Sequence, residues 1–316
     1  MSQLRKIGSL LVSSVGVGCN NFGVRLDQAG TQKVVDAAID AGINFFDTAD
    51  VYGETRSEEY LGRALGERRR SLLIATKFGL PLDEQRKGAR PEYVRSALEA
   101  SLRRLGTDYV DLYQLHRPDP EVPIEDTLGA LHELVQAGKV REIGCSNFSV
   151  EQIEASTDAV RRARLSAFAS IQNEYSLLAR APEQGVLPAA ERAGLGFLPY
   201  FPLASGLLSG KYRTGLPSPE GTRLSPGSPR RDRFLNAKSQ AIADELDEFA
   251  RAHGHSLLEL AFSWLLSHGA VASVIAGATA PAQVKANAAA PNWVLNAEEL
   301  RALDEITLPA PLDAPR

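Results

Sequence analysis

Short apolar segments alternate with amphipathic segments along almost the whole chain, and this alternation limits the possible folds more than any other feature. The apolar segments predict strands at residues 14–19, 44–48, 72–77, 109–116, 142–146, 167–173, 196–201 and 273–277. The amphipathic segments predict helices at 28–41, 57–67, 91–105, 124–137, 150–161, 182–192 and 238–253. Strict alternation of this kind implies parallel strands joined by right-handed crossovers.

Eight predicted strands are the number that closes into a ring, so we expect an α/β protein with a (β/α)8 barrel. No G-x-G-x-x-G follows any predicted strand, which favours the barrel over an open dinucleotide-binding sheet. Alternating residues near the N-terminus predict a β-hairpin ahead of the barrel. We expect extra helices, an irregular loop at 206–236 over one barrel end, and one domain covering residues 1–316.

Composition excludes several classes of partner. The net charge of −4 and the pI near 5.8 do not indicate a protein that binds nucleic acid or an anionic membrane. No apolar run has transmembrane length, and no clean signal-peptide cleavage site follows the N-terminal residues. The two cysteines form neither a disulfide framework nor a metal cluster, so we expect a cytoplasmic protein without a bound metal.

Four polar residues stand at or just beyond the ends of three successive strands. Asp47 ends the second predicted strand, and Tyr52 lies in the loop that follows it. Lys77 ends the third strand, and His116 ends the fourth. Neighbouring strands are roughly 5 Å apart, so these four side chains are expected to converge.

Proton transfer is the chemistry that this quartet suggests. A free phenol has a pKa of about 10, and a nearby ammonium group lowers it by favouring the phenolate. We therefore expect Lys77 to lower the pKa of Tyr52, and Asp47 to pair with Lys77 and hold it in place. His116 is placed either to form a hydrogen bond with a substrate oxygen or to assist Tyr52.

Each of the four residues also has an ordinary structural explanation. Asp47 suits a helix cap, Lys77 a solvated strand end, and His116 a buried histidine with satisfied hydrogen bonds. Their joint placement at one end of three strands favours function, but spacing alone does not name a reaction.

The stretches that carry these residues resemble the signatures of the aldo-keto reductase superfamily. The stretch GINFFDTADVYG contains Asp47 and Tyr52, and IATKFG contains Lys77. The stretch RSALEASLRRLGTDYVDLYQLHRPD contains His116 near its end. The stretch GKVREIGCSNFS resembles the family signature of the fifth strand. The match runs nearly end to end, and it is of the bacterial type that is similar to the potassium-channel beta subunits.

The resemblance implies a cofactor site in which amide and hydroxyl groups hold the nicotinamide carboxamide. Those groups belong to Ser146, Asn147 and Gln172, and the nicotinamide ring stacks on Tyr200. Further residues that the resemblance places at the cofactor are Gly18, Cys19, Asp47, Phe201, Pro202, Leu203, Ser205, Gly206, Leu208, Lys211, Arg223, Gly277, Thr279, Gln283 and Asn287.

The segment after the last strand departs from the family pattern. Many relatives carry Arg or Lys there to bind the 2′-phosphate of the cofactor, whereas this chain has Ala278, Thr279 and Ala280. We expect Thr279, Gln283 and Arg223 to take that role. No acidic residue is present at these positions to bind a free ribose hydroxyl, so NADP(H) is expected rather than NAD(H).

The resemblance implies reduction of an aldehyde or ketone to an alcohol by hydride transfer from NAD(P)H, with Tyr52 as the general acid. The expected partner is therefore a small-molecule carbonyl substrate. One alternative is a catalytically weak nicotinamide-binding regulatory or scaffold subunit, against which His116 argues. Another is an aldolase-like barrel with Lys77 as a Schiff-base nucleophile, against which Ser146, Asn147, Gln172 and Tyr200 argue.

Overall fold

A ring of eight parallel strands follows an N-terminal hairpin. The computed structural model describes residues 3–213 and 215–308. The hairpin consists of β1 (Leu4–Ile7) and β2 (Leu10–Ser13). The ring consists of β3 (Val15–Gly18), β4 (Phe45–Asp47), β5 (Leu73–Phe78), β6 (Val110–Leu115), β7 (Val140–Ser146), β8 (Phe168–Gln172), β9 (Gly196–Phe197) and β10 (Val274–Gly277).

The strands pair in chain order from β3 to β9, and β10 pairs with β3. Backbone hydrogen bonds from Ala272 N to Phe197 O (2.9 Å) and from Ile275 N to Pro199 O (3.1 Å) join the two ends of the sheet. The predicted (β/α)8 fold with an N-terminal hairpin is confirmed.

The helices surround this ring. They are α1 (Gln28–Asp40), α2 (Arg56–Leu65), α3 (Pro91–Leu105), α4 (Ile124–Gln136), α5 (Val150–Ala163), α6 (Val186–Ala193), α7 (Arg231–Phe234), α8 (Ala237–Ala252), α9 (Leu257–Ser267), α10 (Pro281–Ala289) and α11 (Ala297–Thr307). Short 3-10 turns cover Gly66–Ser71, Ala181–Gln184 and Ala204–Ser209. Within the described residues, no helix is both long and apolar enough to span a bilayer.

Local sequence explains where α3 begins and ends. Pro91 occupies the first turn, where its missing N–H costs no hydrogen bond. Gly106 ends the helix with a φ of 64°, a left-handed conformation that glycine adopts without a Cβ penalty. The predicted bounds of this helix, 91–105, are those of the structure.

The predicted strand at 196–201 is shorter in the structure, because β9 ends at Phe197. Hydrogen bonds to the neighbouring segment continue as far as Tyr200, whose N–H donates to Asn173 O at 3.1 Å. Phe201 then adopts a φ of 52°, which turns the chain out of the extended conformation. The predicted loop at 206–236 contains part of a 3-10 turn and the short helix α7.

The apolar core has two parts. The larger part fills the space between the strands and the helices. In the smaller part, Ile7, Leu10 and Val12 of the hairpin pack against strand residues such as Phe45 and Leu112. The hairpin is thus joined to the barrel core through a cluster separate from the helices, and the polar strand ends lie elsewhere.

Candidate active site

A cavity of about 650 Å³ lies where the carboxyl ends of the strands meet. Residues at or just after the ends of β3, β4, β6, β7, β8, β9 and β10 line it, in the place where (β/α)8 enzymes carry their chemistry. The predicted site residues that line it are Gly18, Asp47, Tyr52, His116, Ser146, Asn147, Gln172, Tyr200, Phe201, Pro202, Leu203, Ser205, Gly206, Lys211, Arg223, Gly277, Thr279, Gln283 and Asn287.

Three predicted site residues do not line the cavity. Lys77 is fully buried next to Asp47. The Cys19 side chain is also buried, and its thiol donates to Val17 O at 3.6 Å. Leu208 packs into the apolar core, and its N–H donates to Leu203 O at 3.2 Å. Cys19 and Leu208 therefore stabilise the segments around the cavity without facing it.

A buried ion pair joins the ends of β4 and β5. Lys77 Nζ lies 2.7 Å from Asp47 Oδ2 and donates a second hydrogen bond to Thr48 O at 2.8 Å. Burial is the largest single effect on Lys77 and acts to lower its pKa, but the charge and hydrogen bond of Asp47 together with the neighbouring Tyr52 outweigh burial, and the pKa is raised. Gln114 and Gln172 donate to the other carboxylate oxygen of Asp47. Lys77 therefore remains an ammonium group inside the protein.

Tyr52 lies between this ammonium group and His116. Lys77 Nζ is 5.1 Å from the centre of the Tyr52 ring, and the ring meets His116 edge-on with centres 5.7 Å apart. Removal from water raises the pKa of Tyr52, and the charge of Lys77 offsets only part of that effect. Lys77 thus acts on this pKa in the expected direction, but burial is the larger effect, so the net shift is upward. Tyr52 stays protonated at neutral pH, as a proton donor must.

His116 is a neutral imidazole in this structure. Burial, together with the positive charges of Lys77 and Arg117, lowers the pKa of His116 to about 2. Its Nδ1 atom is buried without a hydrogen-bond partner among the described residues. A neutral histidine can donate one hydrogen bond to an oxygen atom and does not compete with Tyr52 as an acid.

A ring of hydrogen-bonding groups continues around the cavity from β7 to β9. Ser146 Oγ donates to Gln172 O at 2.7 Å, and Tyr200 OH donates to Asn147 Oδ1 at 2.8 Å. Asn147 Nδ2 donates to His116 O at 3.0 Å. The backbone of Asn147 has a φ of 62°, which asparagine tolerates better than most residues. These bonds hold Ser146, Asn147 and Tyr200 in fixed positions beside His116.

The opposite end of the cavity is positively charged. Arg223 Nη2 donates to Asn20 Oδ1 and to Asn21 Oδ1, both at 3.0 Å. Burial and the charges of Arg230 and Arg25 lower the pKa of Arg223 to about 10. Partial burial and the charges of Arg223 and Arg25 likewise lower the pKa of Lys211. Cations gathered closely enough to lower the pKa values of Lys211 and Arg223 form a site suited to an anion.

Comparison with known proteins agrees with this geometry. The family model described as the aldo/keto reductase family matches residues 14–308. The chain belongs to the aldo/keto reductase family. It is 36% identical over 304 residues to a probable aldo-keto reductase of Glycine max, a match that covers 93% of this chain and 85% of the relative.

Two further relatives resemble this aldo-keto reductase over most of their length. The aldo-keto reductase yakc [NADP(+)] of Schizosaccharomyces pombe is 35% identical over 279 residues, which cover 84% of this chain and 79% of the relative. The solved structure of a glycerol dehydrogenase from Gluconobacter oxydans has a TM-score of 0.83 and 33% identity, and the match covers 99% of this chain and 98% of that one.

The residues of the cavity fit the nicotinamide cofactor that aldo-keto reductases use. Ser205 Oγ is buried and has no partner among the described residues, although Ser205 faces the cavity. It lies in a turn where Phe201, Ala204 and Ser205 all have positive φ. A Cβ atom on Gly206 would lie 3.0 Å from Lys211 Nζ, so glycine leaves room for that cation at the turn. The turn thus presents a polar group and a cation together.

The backbone N–H groups of this turn are partly used already. Ala204 N donates to Phe201 O, Gly206 N to Leu203 O and Leu208 N to Leu203 O. A phosphate at the turn would therefore depend on Ser205 Oγ and Lys211 more than on these amides.

Among the described residues that line the cavity, those from the end of β10 to α10 include no cation. Thr279 N and Oγ1 both donate to Gln283 Oε1, at 2.7 Å and 3.2 Å. Asn287 is buried nearby. A Cβ on Gly277 would lie 2.9 Å from Arg223 Nη2, so the absence of a side chain there lets Arg223 approach the end of β10.

Sequence reasoning missed several residues that line the cavity. They include Leu80, Arg117, Glu174 and Arg230, together with Arg25, whose guanidinium donates to Gly221 O. Arg117 directly follows His116, so its position after a strand end was a usable signal. Arg25 and Arg230 lie in loops whose course only the tertiary structure defines. No cluster of metal-binding side chains occurs in residues 3–213 or 215–308.

Proposed function

We propose that this protein reduces the carbonyl group of an aldehyde or ketone to an alcohol, with NADPH as the reductant and Tyr52 as the general acid. The observation that carries the proposal is the buried Lys77–Asp47 pair beside Tyr52, at the wall of a cavity that also contains His116. Membership of the aldo-keto reductase family makes the protein an oxidoreductase. The roles of the individual residues are part of the proposal.

The chain's own residues bind and protonate the substrate oxygen. Neutral His116 donates a hydrogen bond that fixes this oxygen beside Tyr52. When bound, the nicotinamide supplies the hydride that the carbonyl carbon accepts. As the C=O π bond breaks, Tyr52 gives its proton to the oxygen, and Lys77 stabilises the phenolate that remains. Solvent then returns a proton to Tyr52.

Charge favours NADP(H) over NAD(H). At one end of the cavity the charges of Arg223 and Arg25 lower the pKa of Lys211, and the charge of Arg25 also lowers that of Arg223. Three cations exceed what a pyrophosphate alone needs, and an additional 2′-phosphate would use them. The name of the Schizosaccharomyces pombe relative also specifies NADP(+). Arg223, held by Asn20 and Asn21, takes the place of the missing cation at Thr279.

Two measurements test the proposal. Fluorescence titration with NADPH and NADH should show tighter binding of NADPH, and a panel of aldehydes and ketones should then consume NADPH. Binding without consumption of any carbonyl compound would instead support a regulatory or scaffold subunit. A substrate adduct trapped on Lys77 by borohydride would support the aldolase-like alternative.

A further inference from the structure

One positive charge of the cavity lining has no carboxylate partner among the described residues. Among the described residues that line the cavity, the only carboxylates are Asp47 and Glu174. Asp47 is paired with Lys77, and Glu174 is paired with Arg233. Arg117 also lines the cavity, is exposed, and has no carboxylate within ion-pair distance in residues 3–213 or 215–308. Its charge is therefore available to a ligand.

Arg117 lies at the reactive end of the cavity. It directly follows His116, whose ring meets that of Tyr52 edge-on. The positive charge of Arg117 acts on two side chains at this end. It contributes to the lowered pKa of His116, and it offsets part of the rise in the pKa of Tyr200. A carbonyl oxygen between Tyr52 and His116 would place the rest of its molecule close to Arg117.

Arg230 has a different position, although it also lines the cavity. Its guanidinium lies 4.9 Å above the ring of Phe201, and its charge lowers the pKa of Arg223. Arg230 thus belongs with the cations at the phosphate-binding end. Arg117, by contrast, lies next to His116 and has no carboxylate partner in the part of the chain that the structure describes.

We propose that Arg117 binds an anionic group of the substrate, so that the preferred substrates are aldehydes or ketones that carry a carboxylate or a phosphate near the carbonyl. This inference rests on the carbonyl reduction proposed above. A guanidinium forms two parallel hydrogen bonds with either anion, which fixes the orientation of the molecule as well as its charge. Arg117 is in this view a specificity-determining residue that positions the carbonyl carbon and does not take part in proton transfer.

Kinetics with matched pairs of substrates test this role. One pair is succinic semialdehyde and its amide, and the other is glyceraldehyde phosphate and glyceraldehyde. We expect R117Q to lower kcat/KM for the charged member by about tenfold or more, since hydrogen bonds to charged groups contribute on that scale. The neutral member should change by less than about twofold, and R117K should retain part of the preference.

The matched control is R161Q, because Arg161 is an exposed arginine of α5 that does not line the cavity. R161Q should leave all four substrates unchanged. An equal loss for charged and neutral members in R117Q would overturn the proposal, because it would indicate general damage next to His116. Equal kcat/KM values of the wild-type protein for the charged and neutral members of each pair would overturn it as well. If R117Q lowers kcat/KM for only one of the two charged substrates, the result tells a carboxylate site from a phosphate site.

Binding of unreactive anions gives a readout that is independent of turnover. Succinate and glycerol phosphate are titrated calorimetrically into the protein in excess NADP(+), so that the phosphate-binding end is already filled. Binding of either anion that is about tenfold weaker in R117Q supports the anion site. The proposal is overturned if neither anion binds to the wild-type protein, or if the wild-type protein and R117Q bind the anions equally well. If anions bind through Arg117 but no carbonyl compound is reduced, the proposed function fails and the anion site stands.

Discussion

Lys77 Nζ and Asp47 Oδ2 lie 2.7 Å apart, and their side chains are only 0% and 4% exposed. Two opposite charges taken out of water in this way cost free energy unless each keeps its partner. Gln114, Gln172 and the Thr48 carbonyl satisfy the remaining hydrogen bonds. The pair is therefore stable only as a unit, and this property can be measured.

We predict that Lys77→Met lowers the free energy of unfolding by about 3–5 kcal/mol, because it leaves the Asp47 carboxylate buried without its cation. Urea denaturation measures the loss. The double variant Lys77→Met with Asp47→Asn should recover much of it. Arg95 Nη2 and Glu133 Oε2 are also 2.7 Å apart but exposed, so Arg95→Met should cost less than about 1 kcal/mol. Equal losses for the two single variants would contradict the prediction.

Tyr52→Phe should remove the proton donor and keep the ring. We predict a fall in kcat of about 10²–10⁴-fold, the range that general acid catalysis contributes. The affinity for NADPH should change by less than about twofold, because Lys77 and the amide groups keep their positions. Tyr60→Phe is the control, since Tyr60 lies on α2 and does not line the cavity. Turnover that survives Tyr52→Phe would rule out the assigned role.

The pH dependence of kcat/KM should show no break from His116 near its ordinary pKa of about 6.5. Burial and the charges of Lys77 and Arg117 lower the pKa of His116 to about 2, so the ring stays neutral through the range of enzyme assays. The unfolded chain takes up this proton below about pH 6.5 and the folded chain does not, so stability falls as the pH drops. An acid limb near pH 6.5 that His116→Asn abolishes would show that His116 titrates normally.

Asp50 should make stability fall as the pH rises. Burial, followed by the nearby charge of Glu58, raises the pKa of Asp50 from 3.8 to about 7. Below about pH 4 both the folded and unfolded chains are protonated, so this penalty is absent. Between the two pKa values the unfolded chain loses its proton first, and stability falls by up to about 4 kcal/mol.

Asp50→Asn removes this titration, so the variant should be more stable than the wild-type protein at about pH 8. The amide oxygen of the asparagine still offers an acceptor to the Tyr93 hydroxyl. Urea denaturation at about pH 4 and about pH 8 gives the comparison. The same loss of stability on raising the pH in both proteins would assign it to other groups. Asp83 is an exposed carboxylate, so Asp83→Asn serves as a control with little expected effect.

Local sequence was sufficient for the elements whose signals lie within a few residues. Pro91 and Gly106 bound α3, and its predicted range was right. The helix α9 was not predicted, because Leu257–Ser267 is apolar on nearly every side and lacks the single stripe of an amphipathic helix. Such a helix is recognised only when neighbouring elements are known to bury it.

The sequence by itself determined the eight-strand barrel and the placement of Asp47, Tyr52, Lys77 and His116 at one end of it, because strand ends and chain order define that end. Only the tertiary structure decided that burial outweighs Lys77 in setting the pKa of Tyr52. It also decided that Arg223 meets Asn20, a residue 203 positions away. Burial and charge at a point depend on every segment packed around it, and a linear pattern records only the nearest neighbours along the chain.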